Sequence, residues 1–219
     1  MRKLIVILAL ALTALALVAA AGQMRAARTA HAFAGQALSP AAAPVDVTVQ
    51  VGRLRVEGWD EPRVEATARV DCGPFASSRC REIADALRLR VAPTAAGRIA
   101  VRLDGWPIST NHGLRAEVTV RMPRSAPLDV TVGVGKAAIS GLEGSLSADI
   151  GVGRAQVEMP ERAVGLIDLE TGVGAASLTT ASGARETRAP FGAELDWRGK
   201  GKSRVSVSCG VGRVRVGLG

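Results

Sequence analysis

Six cations stand just after glycine corners in this chain: Arg53 and Arg55, Lys136, Arg154, then Arg213 and Arg215. Before the corners stand Asp46, Asp129, Asp149, Asp168 and Glu170. Both sets fall on outward positions of alternating segments, so one flank of the folded body is predicted basic and the other acidic. A basic ladder is the chemistry for holding an anionic polymer or an anionic lipid surface, helped by the steering of a net charge of +8. The residues expected to carry it are Arg53, Lys136, Arg154, Arg213 and Arg215. The plainer reading is a solvated surface whose charges pair with one another. Asp149 and Glu170 are not set in a spaced oxygen-ligand loop, so no calcium site is expected.

Catalytic patterns are scarce. His31 lies near the N-terminus and His112 in a loop-like stretch, and neither belongs to a His-Glu-X-X-His pair. No Gly-X-Ser-X-Gly elbow occurs. Gly133-Val134-Gly135-Lys136 has the look of a phosphate loop, but the first glycine is missing and Ala137 replaces the hydroxyl residue. Cys72 and Cys80 lie beside Gly73 and Pro74 without Cys-X-X-Cys spacing, so they read as a stapled loop. Cys209 takes the position that Val132 and Ile150 take elsewhere, and reads as an apolar filler. These three thiols do not make a zinc site; no metal and no cofactor is expected. An enzyme acting on carbohydrate would need convergent carboxylates in a groove and aromatic platforms. Aromatic residues are only 3% of the chain, which argues against sugar-stacking sites and equally against base-stacking on nucleic acid. The expectation is therefore a non-catalytic protein. A groove joining two carboxylates to Trp59, Trp106 or Trp197 would reverse that ranking.

The elements that must position these residues form a repeat. Gly-Val-Gly recurs at 133–135, 151–153, 172–174 and 210–212, with a weaker copy at Val51-Gly52. The second glycines lie 18, 21 and 38 residues apart, and 38 is read as two periods of about 19. Before each corner apolar residues alternate, as in Val130, Val132 and Val134, or Ala148, Ile150 and Val152. Beyond it the phase slips by one, with Ala137 and Ile139, or Ala155 and Val157. A slip would turn a straight strand inside out, so a bend at the glycine is predicted, with both arms facing one core. The expected fold is all-β: a single-stranded β-solenoid (β-helix-like) of about 19-residue rungs, its aliphatic ladders inside. One degenerate rung is expected within 181–204.

Residues 1–21 read as an export signal or an N-terminal membrane anchor: Arg2 and Lys3, then an apolar run from Leu4 to Ala21. Small-residue cleavage sites precede Gly22 and Gly35. Residues 22–44 read as an Ala- and Pro-rich flexible tether, and 45–219 as the folded domain. Within it, 45–127 is a front half capping the repeats of 128–219. The cap alternates at 64–70, 99–103 and 114–122, and a short helix at Ser78–Leu87 competes with a Leu87, Leu89, Val91 alternation. An exposed last rung near residue 219 is an expected edge for weak self-association. The implied location is exported: periplasm or cell surface.

Three runs carry a family resemblance: Val118-Thr119-Val120-Arg121-Met122-Pro123, then 128–135, then Ile139-Ser140-Gly141-Leu142-Glu143-Gly144. Residues 45–219 resemble the bacterial putative-adhesin family, a β-helical envelope domain of unknown function. The resemblance implies surface attachment, and no binding residue carries over from it. The regular paired Gly-Val-Gly corners and the cysteine pair depart from the family's looser pattern. The alternatives are a carbohydrate-active enzyme on a β-helix, or a self-assembling envelope scaffold.

Overall fold

The computed structural model describes residues 31–39, 43–73, 76, 78–107, 110, 112–189 and 191–219. The expected signal or anchor, residues 1–21, lies outside them. No helix among the described residues is long and apolar enough to cross a membrane.

Five long strands carry the corners: β2 (Val45–Trp59), β7 (Leu128–Ser140), β8 (Leu146–Met159), β9 (Val164–Thr180) and β12 (Ser203–Leu218). They lie side by side in parallel, in the order β2-β7-β8-β12-β9, with corner matched to corner. The reason is steric. Gly135, Gly153, Gly212 and Gly174 have φ near +150° (143° to 154°). A Cβ on each would lie within 1.8 Å of a carbonyl oxygen of the neighbouring strand's glycine. Only glycine permits that approach, so a shifted register would set a side chain against backbone. At the preceding position Gly133, Gly151, Gly210 and Gly172 meet a neighbouring carbonyl at 2.5–2.6 Å in the same sense. Gln50 is tolerated there on β2 because its outer partners diverge: β2 pairs β5 only over Val45–Thr48 and β6 only over Gly52–Trp59.

The corner splits each long strand into a proximal arm before it and a distal arm after it. Side chains from both arms enter one core. Val49, Val132, Ile150, Cys209 and Thr171 form one inward row, and Val56, Ile139, Val157, Val216 and Leu178 another. Nearest the vertex the distal row is mostly Ala137, Ala155 and Ala176, because the wedge is narrow there. Each buried Val, Leu or Ile contributes roughly 1.5–3 kcal/mol. Thr171 satisfies its hydroxyl by donating to the Ala193 carbonyl at 3.5 Å.

The remaining strands flank this spine. β5 (Ile99–Asp104) extends the proximal arms beyond β2 and is itself paired by β4 (Arg88–Pro93). β6 (Leu114–Pro123), β3 (Arg63–Cys72) and β1 (His31–Leu38) extend the distal arms. Beyond β9, β10 (Gly183–Ala189) covers the distal arm and β11 (Ala193–Arg198) the proximal arm, both antiparallel. The helix α1 (Arg79–Ala86) buries Cys80 and Ala84, and Cys72 is joined to Cys80 by a disulfide.

The all-β class is met; the sheet is mixed, open and twelve-stranded, and a single-stranded solenoid is not shown. The 38-residue interval is not two rungs. It holds the β10 and β11 strands, which run antiparallel to β9, so among the described residues of 181–204 there is no parallel rung. β12 then inserts between β8 and β9 and is hydrogen-bonded on both sides. The C-terminal strand is therefore interior and not the bare edge expected for self-association. Part of the expected tether is strand β1, paired along its length with β3, and the second cleavage position falls inside it. Val134, Val152, Val173 and Val211, expected inside, are 43–49% exposed, because the bend begins before the valine. The helix and the alternation after it are both real, one following the other.

Candidate functional site: a cationic row on the distal arm

The position after each corner glycine points outward on the distal arm. Register brings Arg53, Lys136, Arg154 and Arg213 into one straight row on the adjacent strands β2, β7, β8 and β12. At the inter-strand spacing this row is about 14 Å long. Two residues further along, Arg55 and Arg215 lie on a second row with Ala138 and Gln156 between them. All six are exposed or half-exposed, and among the described residues none has an ion pair. The predicted acids stand on the other arm, so among the described residues the six cations do not pair with them, and they are solvated as the plainer reading has it. At Ala175 the row loses its charge on β9, and Arg188 of β10 resumes it, bonded to Glu186 at 2.8 Å. Glu186 is held below the usual carboxylate range, first by that hydrogen bond and then by the fields of Arg188, Arg213 and Arg215.

Three shallow grooves follow the row. One, of 210 Å³, is lined by Lys136, Arg154, Arg213 and Arg215. A second, of 360 Å³, is lined by Arg53, Arg55, Lys136 and Glu117. The third, of 570 Å³, joins Val51, Arg53, Val134 and Lys136 to Arg115, and Asp71 and Glu117 also line it, Glu117 directly opposite Arg53. Arg115 comes from β6, and nothing in the sequence pattern shows that β6 lies against β2. Beside the row, across the glycines, runs a ridge of Val51, Val134, Val152, Val211 and Val173 in register.

The proximal arm carries the acids, in two unlike halves. Asp46 and Asp129, directly opposite on β2 and β7, are bridged by Arg98, whose guanidinium bonds both carboxylates. Those bonds, Asp46 first, push the Arg98 pKa further up and outweigh the effect of burial. Sequence reasoning missed this clamp, because Arg98 reaches the acids only once β5 is known to pair β2. In the other half Asp149, Asp168 and Glu170 are joined by Glu194 and Asp196 of β11, and among the described residues none of the five has an ion pair. Asp149 accepts from Ser208 Oγ at 3.2 Å.

The other candidates do not converge. Lys136 lies in mid-strand, its neighbours' amides committed to sheet pairing, so no phosphate loop forms. His31 sits 3.3 Å from Asp85 of α1, and His112 lies in the turn before β6 with φ 51°. Burial pushes the Cys209 thiol up, in keeping with an inert filler. Among the described residues no group of three or more His, Cys, Asp or Glu is placed to hold a metal ion. One small groove, of 230 Å³, does join Trp59 to Asp60 and Glu61. Asp60 is tied to Arg124 at 2.6 Å and Glu61 to Arg63 at 3.3 Å, and the Arg63 guanidinium also covers the Trp59 ring at 4.9 Å. Neither carboxylate has the dry setting of a general acid, and the indole face is occupied.

No family model matches the chain, and no curated protein matches it. Solved structures are matched at low identity. A putative cell adhesion protein from Clostridium sporogenes ATCC 15579 is matched over 86% of this chain and 100% of its own, at 13% identity and a TM-score of 0.47. A putative adhesin from Parabacteroides distasonis ATCC 8503 is matched over 59% and 61%, at 12% identity and a TM-score of 0.26. Another, from Parabacteroides merdae ATCC 43184, is matched over 84% and 80%, at 9% identity and a TM-score of 0.27.

Proposed function

We propose that this chain is an exported, non-catalytic protein of the cell envelope, adhesin-like in role, that holds an acidic polysaccharide along the cationic row of its distal arm. The observation that carries the reading is the row itself: four cations on four adjacent strands, in line and without ion pairs among the described residues. A linear polymer lying across the strands meets one cation per strand step. The valine ridge beside the row offers an apolar strip for the C–H faces of sugar rings, which favours a polysaccharide over a polyphosphate. Each exposed contact is worth only a few tenths to about 1 kcal/mol, so affinity accumulates along the polymer. The export signal read at 1–21 supports the envelope location. The arginine-bound carboxylates beside Trp59 weigh against the alternative of a carbohydrate-cleaving enzyme. In the fold, the five parallel strands serve as a short solenoid-like spine with β12 inserted out of order.

Retention on immobilised polygalacturonate tests the binding. The wild-type protein is retained and released by salt, whereas Lys136→Gln/Arg154→Gln/Arg213→Gln binds about tenfold or more weakly. Equal retention of the triple variant, or equal retention of wild type on neutral dextran, contradicts the reading. Retention on anionic vesicles alone would transfer the row to a lipid surface and also contradict it.

A further inference from the structure

Among the described residues, the acidic half of the proximal arm is an outer sheet face with nothing packed over it. Its charges sit at a cost: Glu194 lies directly opposite Glu170, and Asp196 directly opposite Asp168. Like charges facing each other across strands destabilise a sheet. No cation answers them within ion-pair distance among the described residues.

The two outer faces are complementary row by row. On the distal arm, over β2, β7, β8 and β12 and moving away from the corner in steps of two residues, the rows are basic (Arg53, Lys136, Arg154, Arg213), basic (Arg55, Arg215), then acidic (Glu57, Glu158), and acids enter the first two rows on the flanking strands, as Glu117 of β6 and Glu186 of β10. On the proximal arm, moving away from the corner in the other direction, they are acidic (Asp149, Glu170, Glu194), acidic (Asp168, Asp196), then basic (Arg204, Arg198). Both grids share the same pitch, about 4.8 Å between strands and about 6.6 Å between rows. The order of sign is inverted from one face to the other.

We infer that the acidic proximal face docks the cationic distal face of a second copy of this chain, in a head-to-tail contact. The contact pairs Glu170, Glu194, Asp168 and Asp196 with Lys136, Arg154, Arg213 and Arg215, and sets Arg204 and Arg198 toward Glu158. Because the two surfaces are different, each docked copy still offers one free face of each kind, and the contact propagates unless rotation closes it. This goes beyond polysaccharide binding, although it shares the cationic row, and polysaccharide competes with it.

Sedimentation velocity over a concentration series tests it on the purified protein. Wild type associates at low salt and dissociates at high salt. Asp168→Asn/Glu170→Gln/Glu194→Gln/Asp196→Asn relieves the facing like charges, keeps its β-sheet circular dichroism, and associates about tenfold or more weakly. Lys136→Gln/Arg154→Gln/Arg213→Gln is likewise monomeric alone. An equimolar mixture of the two variants forms a heterodimer and nothing larger, since it contains one intact face of each kind. The single exposed change Arg154→Glu gives a second route and also weakens wild-type association. A wild type that stays monomeric at every concentration and salt overturns the inference, as does an acidic-face variant that associates like wild type. So does a mixture that stays monomeric. The acidic-face variant still binds polygalacturonate, so loss of self-association and loss of polysaccharide binding are read separately.

Discussion

At Gly153 the backbone has φ +149°, and an added Cβ would stand 1.7 Å from the Gly135 carbonyl oxygen. Gly183 has a similar φ of +136° but open space around the same position. The pair separates conformational strain from collision. Gly183→Ala is expected to cost about 1–3 kcal/mol, the strain alone. Gly153→Ala adds a backbone clash that cannot relax without moving β7, and is expected to cost more than about 3 kcal/mol or to leave no folded protein. Urea melts of both variants check this; equal costs would mean that the corner glycines serve conformation only. The corner glycines were legible in the sequence because their spacing and the phase slip repeat. The exposure of Val134, Val152, Val173 and Val211 was not, since alternation alone cannot tell where within a bend the turn begins. The cations of the row were legible as outward residues, and register then supplied their alignment. Arg98 was not, because its partners Asp46 and Asp129 are brought to it by pairing between strands distant in sequence.

Among the elements, strand existence was readable from period-two patterning, and strand order was not. β12 follows the β10 and β11 strands in sequence yet lies between β8 and β9, and nothing local in residues 203–218 encodes that choice. Cross-linking reports it directly. With Cys209 replaced by Val, Val152→Cys/Val211→Cys sits on adjacent strands and should oxidise to a disulfide, whereas Val152→Cys/Val173→Cys is separated by β12 and should not. The reverse outcome would restore the sequential order that a simple repeat implies. β1 escaped notice because its half-buried positions are His31, Phe33, Gly35 and Ala37 while Leu38 is 78% exposed, a pattern without apolar alternation. The Cys72–Cys80 disulfide ties β3 to α1 across a short loop. Cys72→Ser/Cys80→Ser is expected to lower stability by about 2–3 kcal/mol in thermal or urea melts while leaving the sheet signal intact. No change in stability would mean that the loop is already ordered without it.

Over the whole molecule, one sheet bent along a glycine line sends its charges in two directions. The distal face is cationic and open, and the proximal face is acidic, its carboxylates bridged by Arg98 at the β2 end and without an ion pair among the described residues toward β11. The net basic balance of the sequence pointed to an anionic partner but could not show which cations were already satisfied. Among the described residues those that remain unpaired include the row after the corners, and polysaccharide binding is proposed there. The most direct test is the affinity for polygalacturonate measured across a salt series. Wild type should bind most tightly at low salt and weaken steadily as salt screens the row. Lys136→Gln/Arg154→Gln/Arg213→Gln should be about tenfold or more weaker at low salt and less steep across the series, with the acidic-face variant no weaker than wild type. Equal affinity of wild type and the triple variant, or wild-type binding indifferent to salt, would contradict the assignment.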